Sequence, residues 1–527
     1  MRVLAYHLPT RLLRWIRHAL VDTHEQRPHF SIVTTGLFCV ALSLVHYNHE
    51  LWRDEIHCWS VGRNAHGLWD LLTGIRRYDG HPFLWYYLLY LVSRWSRSPV
   101  YLHVVTVVIA TLSTYLWLRR AGLPRIFRLL LLGTYFYFFE YNVMSRSYGL
   151  GLLLAFTFCH LYDSRRLRVF PLLLVLLVLS FTSAYGAIMA AALGALVLWQ
   201  SIVKVRSAET GSNERRALYR QWSLGMVFLA IGLFVHLKTS LPPADAYYSP
   251  DITHKHHWSW LSDFTTRFWS ALFPWNAKND GQWIVSGYLG ETWPLFKRLL
   301  PIVGTATLWL CVIALRKAPA IAATYFLGVL MMAAFQFIQY PGYLRHWGHF
   351  FILLVICIWL YTKHASARQT PALLYGLLVL TFGVQTITGV RAVRTELRLP
   401  FSGAQEAANF LREHGLQDLP ILATYDHAAS AVAGYLDGRF ISVESGEEGQ
   451  TVVFHKRRYE ATSAAAVAEL AHPIARRTHA PVLMILNFDL GGEPIPGFTT
   501  EPLFATKPSI RLDETFWIYE LTEQNPP

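Results

Sequence analysis

From residue 31 to residue 385 the chain returns repeatedly to apolar runs long enough to cross a bilayer, about 20 residues allowing for tilt. Nothing else in the sequence limits the fold so strongly. A backbone in hydrocarbon must satisfy its own hydrogen bonds, and a run of this length does so as a helix. The runs fall at 31–47, 100–118, 126–140, 147–162, 170–184, 185–203, 222–240, 299–315, 319–338, 347–362 and 371–389. Composition agrees, because 53% of the residues are hydrophobic and only 15% are charged, which does not suit a soluble globular domain. The expected fold class is an α-helical polytopic membrane protein of about 11 transmembrane helices, with interfacial juxtamembrane helices and a small C-terminal α/β soluble domain. Residues 1–30 read as an amphipathic cytoplasmic segment, 31–390 as the membrane region and 391–527 as an external domain.

The net charge of +13 is spread over short loops between apolar runs, which points to cytoplasmic loops and away from a nucleic-acid partner. The segment 83–95 decides the topology. It is apolar but short for a span, rich in Tyr and Trp, and preceded by His81-Pro82. As an interfacial helix on the outer leaflet it leaves the basic groups of 119–128, 165–168, 204–220, 316–317 and 363–368 inside, with the basic N-terminus. As a span it would put the first two groups outside. The first model is preferred, and it reads the N-terminal segment as leading into a signal anchor rather than as a cleaved signal peptide. The outer side then receives 48–99, 140–147, 241–298, 339–346 and the C-terminal domain. Cys39, Cys58, Cys159, Cys311 and Cys357 suggest neither a disulfide nor a sulfur-based metal site.

Candidate chemistry gathers on that outer side. Asp54 and Glu55 lie in His49-Glu-Leu-Trp-Arg-Asp-Glu-Ile-His57, just past the first apolar run, where paired carboxylates cost solvation energy unless they are used. A solvated pair balanced by Arg53 is the plain reading. The functional one is a general base that deprotonates an acceptor hydroxyl, with burial and like charge raising one of the two pKa values. His57 stands by as a supporting residue. His81 flanks a Pro at a helix start, or else bonds a phosphate or positions a carboxylate. In Glu140-Tyr-Asn-Val-Met-Ser-Arg-Ser-Tyr148, Arg146 either snorkels to the interface or offers its planar fork of donors to a lipid-linked phosphate, beside Tyr148 and with Glu140 as a partner. In Tyr340-Pro-Gly-Tyr-Leu-Arg-His-Trp-Gly-His349, the group Arg345, His346 and His349 is an interfacial anchor or a second clamp on a leaving phosphate. Asp251, His254, His256 and His257 are too closely spaced for a standard zinc pattern and read as a solvated loop. The Trp and Tyr residues of 241–298 rest on the bilayer interface or on the protein's own surface, with stacking against a sugar ring the alternative for one or two of them.

The order of these motifs resembles the integral-membrane glycosyltransferases of the C type, the superfamily that includes protein O-mannosyltransferases and bacterial transferases modifying lipid A and lipopolysaccharide. The likeness covers roughly residues 30–390, with His81-Pro82-Phe83 standing where many relatives have His-Pro-Pro. It implies a polyprenyl-phosphate sugar as donor and a glycan, lipid or protein hydroxyl as acceptor. It places Asp54 as base, Glu55 on the acceptor or orienting the site, and Arg146 and Arg345 on the donor phosphate. The phosphate's charge is met by side-chain cations, with no obligatory metal and no other cofactor. Location is the external face of a bacterial inner membrane, with the C-terminal domain periplasmic and the product part of the cell envelope.

In the tail, 404–414, 428–436 and 464–476 read as helices, the first with Ser402 as cap, and 421–425, 439–443, 482–487 and 516–521 as strands. Its position suggests a domain that closes the site or binds acceptor. Two competing classes are a transporter or flippase of lipid-linked sugars and a non-catalytic membrane scaffold. The spans hold few charges and show no paired halves, which disfavours transport.

Overall fold

A computed structural model describes residues 28–207, 213–247, 259–274, 294–364, 372–458 and 463–524. The basic N-terminus, Asp251 and the three neighbouring histidines, and Trp258, Trp275, Trp283 and Trp293 lie outside the described residues.

The chain is mostly helical. Among the described residues seven helices are long and apolar enough to cross a membrane: Pro28–Asn48, Val100–Arg120, Ala184–Ser207, Arg215–Ser240, Pro319–Ile338, Leu344–Lys363 and Ala372–Glu396. The expected eleven are not reached, and the reason is local. The run 126–140 breaks into Arg125–Leu132 and a π-helical turn Tyr135–Glu140, separated at Gly133 and by Thr134, whose backbone is extended (φ −68°, ψ 147°). Ser147–Leu161 has 15 residues and Val169–Ser180 has 12, both short of the bilayer's demand. These two and Leu84–Ser93 form a second class of shorter apolar helices.

Leu344–Lys363 is the central element. Every residue from His346 to Tyr361 is buried, so this helix is apolar all round and neighbours cover it on all sides. Pro341 and Gly342 precede it. Gly342 sits at φ +74°, a left-handed turn that suits glycine, and this turn sets where the first helical residues, Arg345 included, emerge. The segment read as an interfacial helix folds as Leu84–Ser93, ten residues whose Trp85, Tyr86, Leu89 and Ser93 are buried. It packs against the helix Arg53–Asn64, where Gly62 brings the two backbones close.

The C-terminal region is a six-stranded mixed sheet in the order β3-β2-β1-β4-β6-β5. Its strands are β1 (Ile421–Ala423), β2 (Phe440–Ser442), β3 (Glu448–Gly449), β4 (Val482–Leu486), β5 (Phe498–Ala505) and β6 (Trp517–Glu523). β1 runs parallel to β2 and β4, while β6 is antiparallel to β4 and β5. Alternation sorts the two faces. Leu422, Met484 and Tyr519 point to the helix Ala464–Thr478, while Ile421, Ala423, Ile485 and Ile518 point to Ala404–Glu413 and Asp426–Leu436. The helix cap differs from expectation: Gly403 takes the N-cap position, and the Ser402 hydroxyl accepts from the Ala404 N–H at 3.1 Å. β5 and β3 have no counterpart in the sequence-based reading, because β5 is largely exposed and carries Pro502 while β3 is two residues long.

The domain is docked on the segment that follows the first long helix rather than tethered beside it. Leu51, Ile56, Trp59, Trp85 and Leu89 share one hydrophobic core with Ala407, Ala431, Val432, Phe516 and Ile518. Polar contacts ring that core. The Leu51 N–H donates to the Tyr435 hydroxyl at 2.7 Å, Arg97 grips Asp437 at 2.5 and 2.7 Å, and Arg63 donates to the Gly434 carbonyl at 3.1 Å. Gly434 is the close point, since a Cβ there falls 2.1 Å from Ile56 Cγ2. Gly434→Val should therefore overpack the joint and cost about 1–3 kcal/mol. Thermal melts should drop accordingly and limited proteolysis should release the C-terminal domain; a Gly434→Val protein with unchanged melting and cleavage would show the joint is loose.

Candidate active site

Asp54 and Glu55 occupy the first turn of the helix Arg53–Asn64, where the helix dipole favours negative charge. Successive helical residues point about 100° apart, so the pair divides. Glu55 turns inward and is fully buried, and Asp54 turns outward with its side chain 24% exposed.

Glu55 is saturated. It accepts from the backbone N–H of Trp52 at 3.2 Å, from His49 Nε2 at 3.0 Å and from the backbone N–H of Ser145. His49 Nδ1 meets Glu396 Oε1 at 2.8 Å, and all three side chains are fully buried. A ring with a carboxylate on each nitrogen donates from both, which is the imidazolium form. Burial opposes the charge on His49, but the Glu55 and Glu396 carboxylates outweigh it and raise the ring to about 10. The segment after the first long helix is thereby tied to the helix Ala372–Glu396.

Asp54 faces cations. Its Oδ2 lies 3.0 Å from Arg146 Nη1 and 3.1 Å from Arg345 Nη2, and Arg146 also donates to the Asp54 backbone carbonyl at 3.0 Å. Arg146 immediately precedes the helix Ser147–Leu161 and Arg345 sits in the first turn of Leu344–Lys363, so side chains from three helix starts meet at one carboxylate. Burial pushes the Asp54 carboxyl up, but Arg345, Arg146, Arg53 and Arg511 together outweigh it and hold it well below the usual carboxylate range. Asp54 is therefore not a member of the pair that burial and like charge raise. The four guanidiniums decide the sign.

The remaining candidates surround this point. Arg146 Nη2 donates toward His81 Nε2 at 3.4 Å, and burial together with the Arg146 charge lowers His81 to about 4, so its ring is neutral and accepts. The His81 backbone is fixed by Arg76, a fully buried residue whose guanidinium also donates to the carbonyls of Leu71 at 2.5 Å and Thr239 at 2.6 Å. His57 Nε2 pairs with Asp79 Oδ2 at 2.9 Å, and Tyr86 donates to the same oxygen at 3.0 Å. His346 and His349 lie further along their helix in an aromatic layer. Tyr185 stacks on His349 with centroids 4.5 Å apart, Tyr148 meets His349 edge-on at 5.2 Å, and Tyr141 donates to the Arg345 carbonyl at 2.7 Å. Glu140 accepts the Tyr135 hydroxyl, while Arg146 goes to Asp54 and His81. Among the described residues no three His, Cys, Asp or Glu side chains form a metal-binding group.

Sequence reasoning missed Trp52, Arg511, Asp513, Glu514, Glu396 and Tyr185. The Arg511-Leu-Asp-Glu514 run of charges in the tail was the available signal. Arg53 Nη1 reaches Asp513 Oδ2 at 2.5 Å, and its backbone N–H donates to Glu514 Oε2 at 3.2 Å, so the C-terminal domain borders the site directly. No protein-family model and no curated protein matches the chain.

The His49 clamp makes a pH prediction. A folded value near 10 against an unfolded value near 6.5 gives stability that is complete below about 6.5 and is lost as pH rises through about 10. His49→Gln leaves two buried carboxylates without their cation and should cost about 3–5 kcal/mol near neutrality. The difference in melting temperature between wild type and His49→Gln should shrink steadily from neutral pH to pH 10 in detergent. A constant difference would mean that His49 is not charged.

Proposed function

We propose that this chain is a membrane glycosyltransferase that moves a sugar from a polyprenyl-phosphate donor to an acceptor hydroxyl, on the outer face of a bacterial inner membrane. The observation that carries the reading is the single carboxylate of Asp54 held by two arginines from two different helices. One group can take a proton. The other two can take a phosphate.

In the resting site these functions neutralise each other, because a carboxylate bound to two guanidiniums is a poor base. The donor supplies the release. Its phosphodiester offers oxygens to Arg146 and Arg345, whose planar forks match phosphate better than a single carboxylate oxygen. Asp54 then loses the charges that depress it, gains a nearby anion, and rises toward the range in which it accepts a proton. The acceptor oxygen loses its proton to Asp54 as it bonds to the anomeric carbon. The bond from that carbon to the phosphate oxygen breaks, and polyprenyl phosphate leaves with its added negative charge on the two guanidiniums. Single displacement inverts the anomeric centre.

His81 accepts from Nη2 of Arg146 while Nη1 meets Asp54, and its neutral ring does not compete for the phosphate. Glu55 and His49 do no chemistry in this scheme; they fix the helix that presents Asp54. The acceptor belongs to the class of cell-envelope glycans, glycolipids and glycoproteins, and the docked C-terminal domain borders the side from which it arrives.

The test is turnover of a panel of radiolabelled polyprenyl-phosphate sugars by the full chain in nanodiscs. Wild type should release polyprenyl phosphate, and Asp54→Asn should lose at least about 10³-fold in kcat while binding donor as tightly or more tightly, because the competitor for the arginines is gone. Equal turnover by both proteins removes Asp54 from catalysis. Kinetics against pH give a second check, since kcat/KM reads the free enzyme and kcat the donor complex. On the acid side kcat should fall at a higher pH than kcat/KM; coincident limbs would contradict release of Asp54 by the donor.

A further inference from the structure

One indole organises the cations of the site. Trp52 is 4% exposed, and its ring lies 5.3 Å from the Arg345 guanidinium, 4.9 Å from that of Arg511 and 5.6 Å from that of Arg53. Arg345 belongs to the helical membrane region and Arg511 to the loop before β6 of the C-terminal domain. The ring therefore gathers guanidiniums from both parts of the chain beside Asp54, two residues further on.

The charges there do not balance. Arg53, Arg146, Arg345 and Arg511 face Asp54, Asp513 and Glu514. Glu514 is fully buried, and burial pushes it up to about 7 against the pull of Arg53, so it does not carry a full negative charge at neutral pH. Asp513 is shared, at 2.5 Å from Arg53 and 3.0 Å from Arg511. The Nε atoms of Arg345 and of Arg511 are buried and have no hydrogen-bond partner. Guanidiniums crowded together with unspent donors call for an anion.

We propose that Arg511 is a third cation for the donor phosphate, carried to the site by the C-terminal domain, so that the site is complete only when that domain is docked. This rests on the transferase reading above and extends it in one respect: the soluble domain belongs to the phosphate clamp as well as to the acceptor side. Trp52 holds Arg511 and Arg345 on one ring.

A purely structural role for Arg511, holding Asp513 and the loop, predicts different behaviour, and the sign of one variant separates the two. The experiment measures binding of radiolabelled polyprenyl phosphate, and of polyprenol of the same length, to the full chain in nanodiscs, with inorganic phosphate as a competitor. Wild type should prefer the phosphate-bearing lipid. Arg511→Gln should weaken binding of polyprenyl phosphate by about tenfold or more and leave polyprenol unchanged, with Arg511→Lys recovering part of the loss. Asp513→Asn removes a negative charge and should leave phosphate binding unchanged or tighter. Inorganic phosphate should displace the lipid less readily than unlabelled polyprenyl phosphate does, which assigns the site to a lipid-borne phosphate rather than to the free ion. The proposal fails if Arg511→Gln binds polyprenyl phosphate as wild type does, or if Asp513→Asn weakens binding as much as Arg511→Gln. It also fails if inorganic phosphate competes as well as the lipid. If Arg146→Gln loses phosphate binding while Arg511→Gln keeps it, this proposal falls and the transferase reading stands. If wild type does not distinguish polyprenyl phosphate from polyprenol, both fall.

Discussion

A single carboxylate oxygen, Oδ2 of Asp54, receives guanidiniums from two helices that begin far apart in the sequence. The rest of the site follows from that contact. Two arginines largely withdrawn from solvent are expensive, and a shared counter-ion makes them tolerable. The same counter-ion loses its basicity in doing so. In the proposed reaction such a site is held in check until the donor phosphate takes over the arginines, which frees Asp54 to act as base.

Presenting Asp54 at that point requires a rigid support. The His49 ring between Glu55 and Glu396 joins the start of its helix to the last long helix, and Arg76 pins the loop that carries His81. On the other side the C-terminal domain shares a core with the helix Arg53–Asn64, and Gly434 allows the two to approach closely. The domain is therefore part of the wall of the site, where its Asp513 pairs with Arg53.

Much of this was legible in the sequence because charged residues at the ends of apolar runs have few places to go. Asp54, His81, Arg146 and Arg345 sit in short segments between apolar runs, and the structure brings all four together. What was not legible depended on helix phase and on distance along the chain. Which of Asp54 and Glu55 faces the arginines is set by a helix that begins at Arg53, and a short polar stretch does not reveal its phase. The partner of His49 is Glu396, on the far side of the whole helical region. Arg511 sits in a loop with no motif, and only docking brings it to Trp52. The eleven-span expectation failed where hydropathy alone could not see a π-helical turn after Thr134 or helices that stop after 12 or 15 residues. In the tail, helices and buried strands were readable from their patterns, and an exposed edge strand with a proline was not.

The central claim is that Asp54 and a lipid-borne phosphate compete for Arg146 and Arg345. The most direct measurement is the protonation of Asp54 itself, followed by infrared difference spectroscopy on the full chain in nanodiscs, with Asp54→Asn subtracted to isolate its carboxyl band. Titrations with and without polyprenyl phosphate should give different midpoints, well below the ordinary carboxylate range in the free protein and shifted to higher pH when the phosphate is bound. A midpoint that does not move on saturation with polyprenyl phosphate would contradict the account.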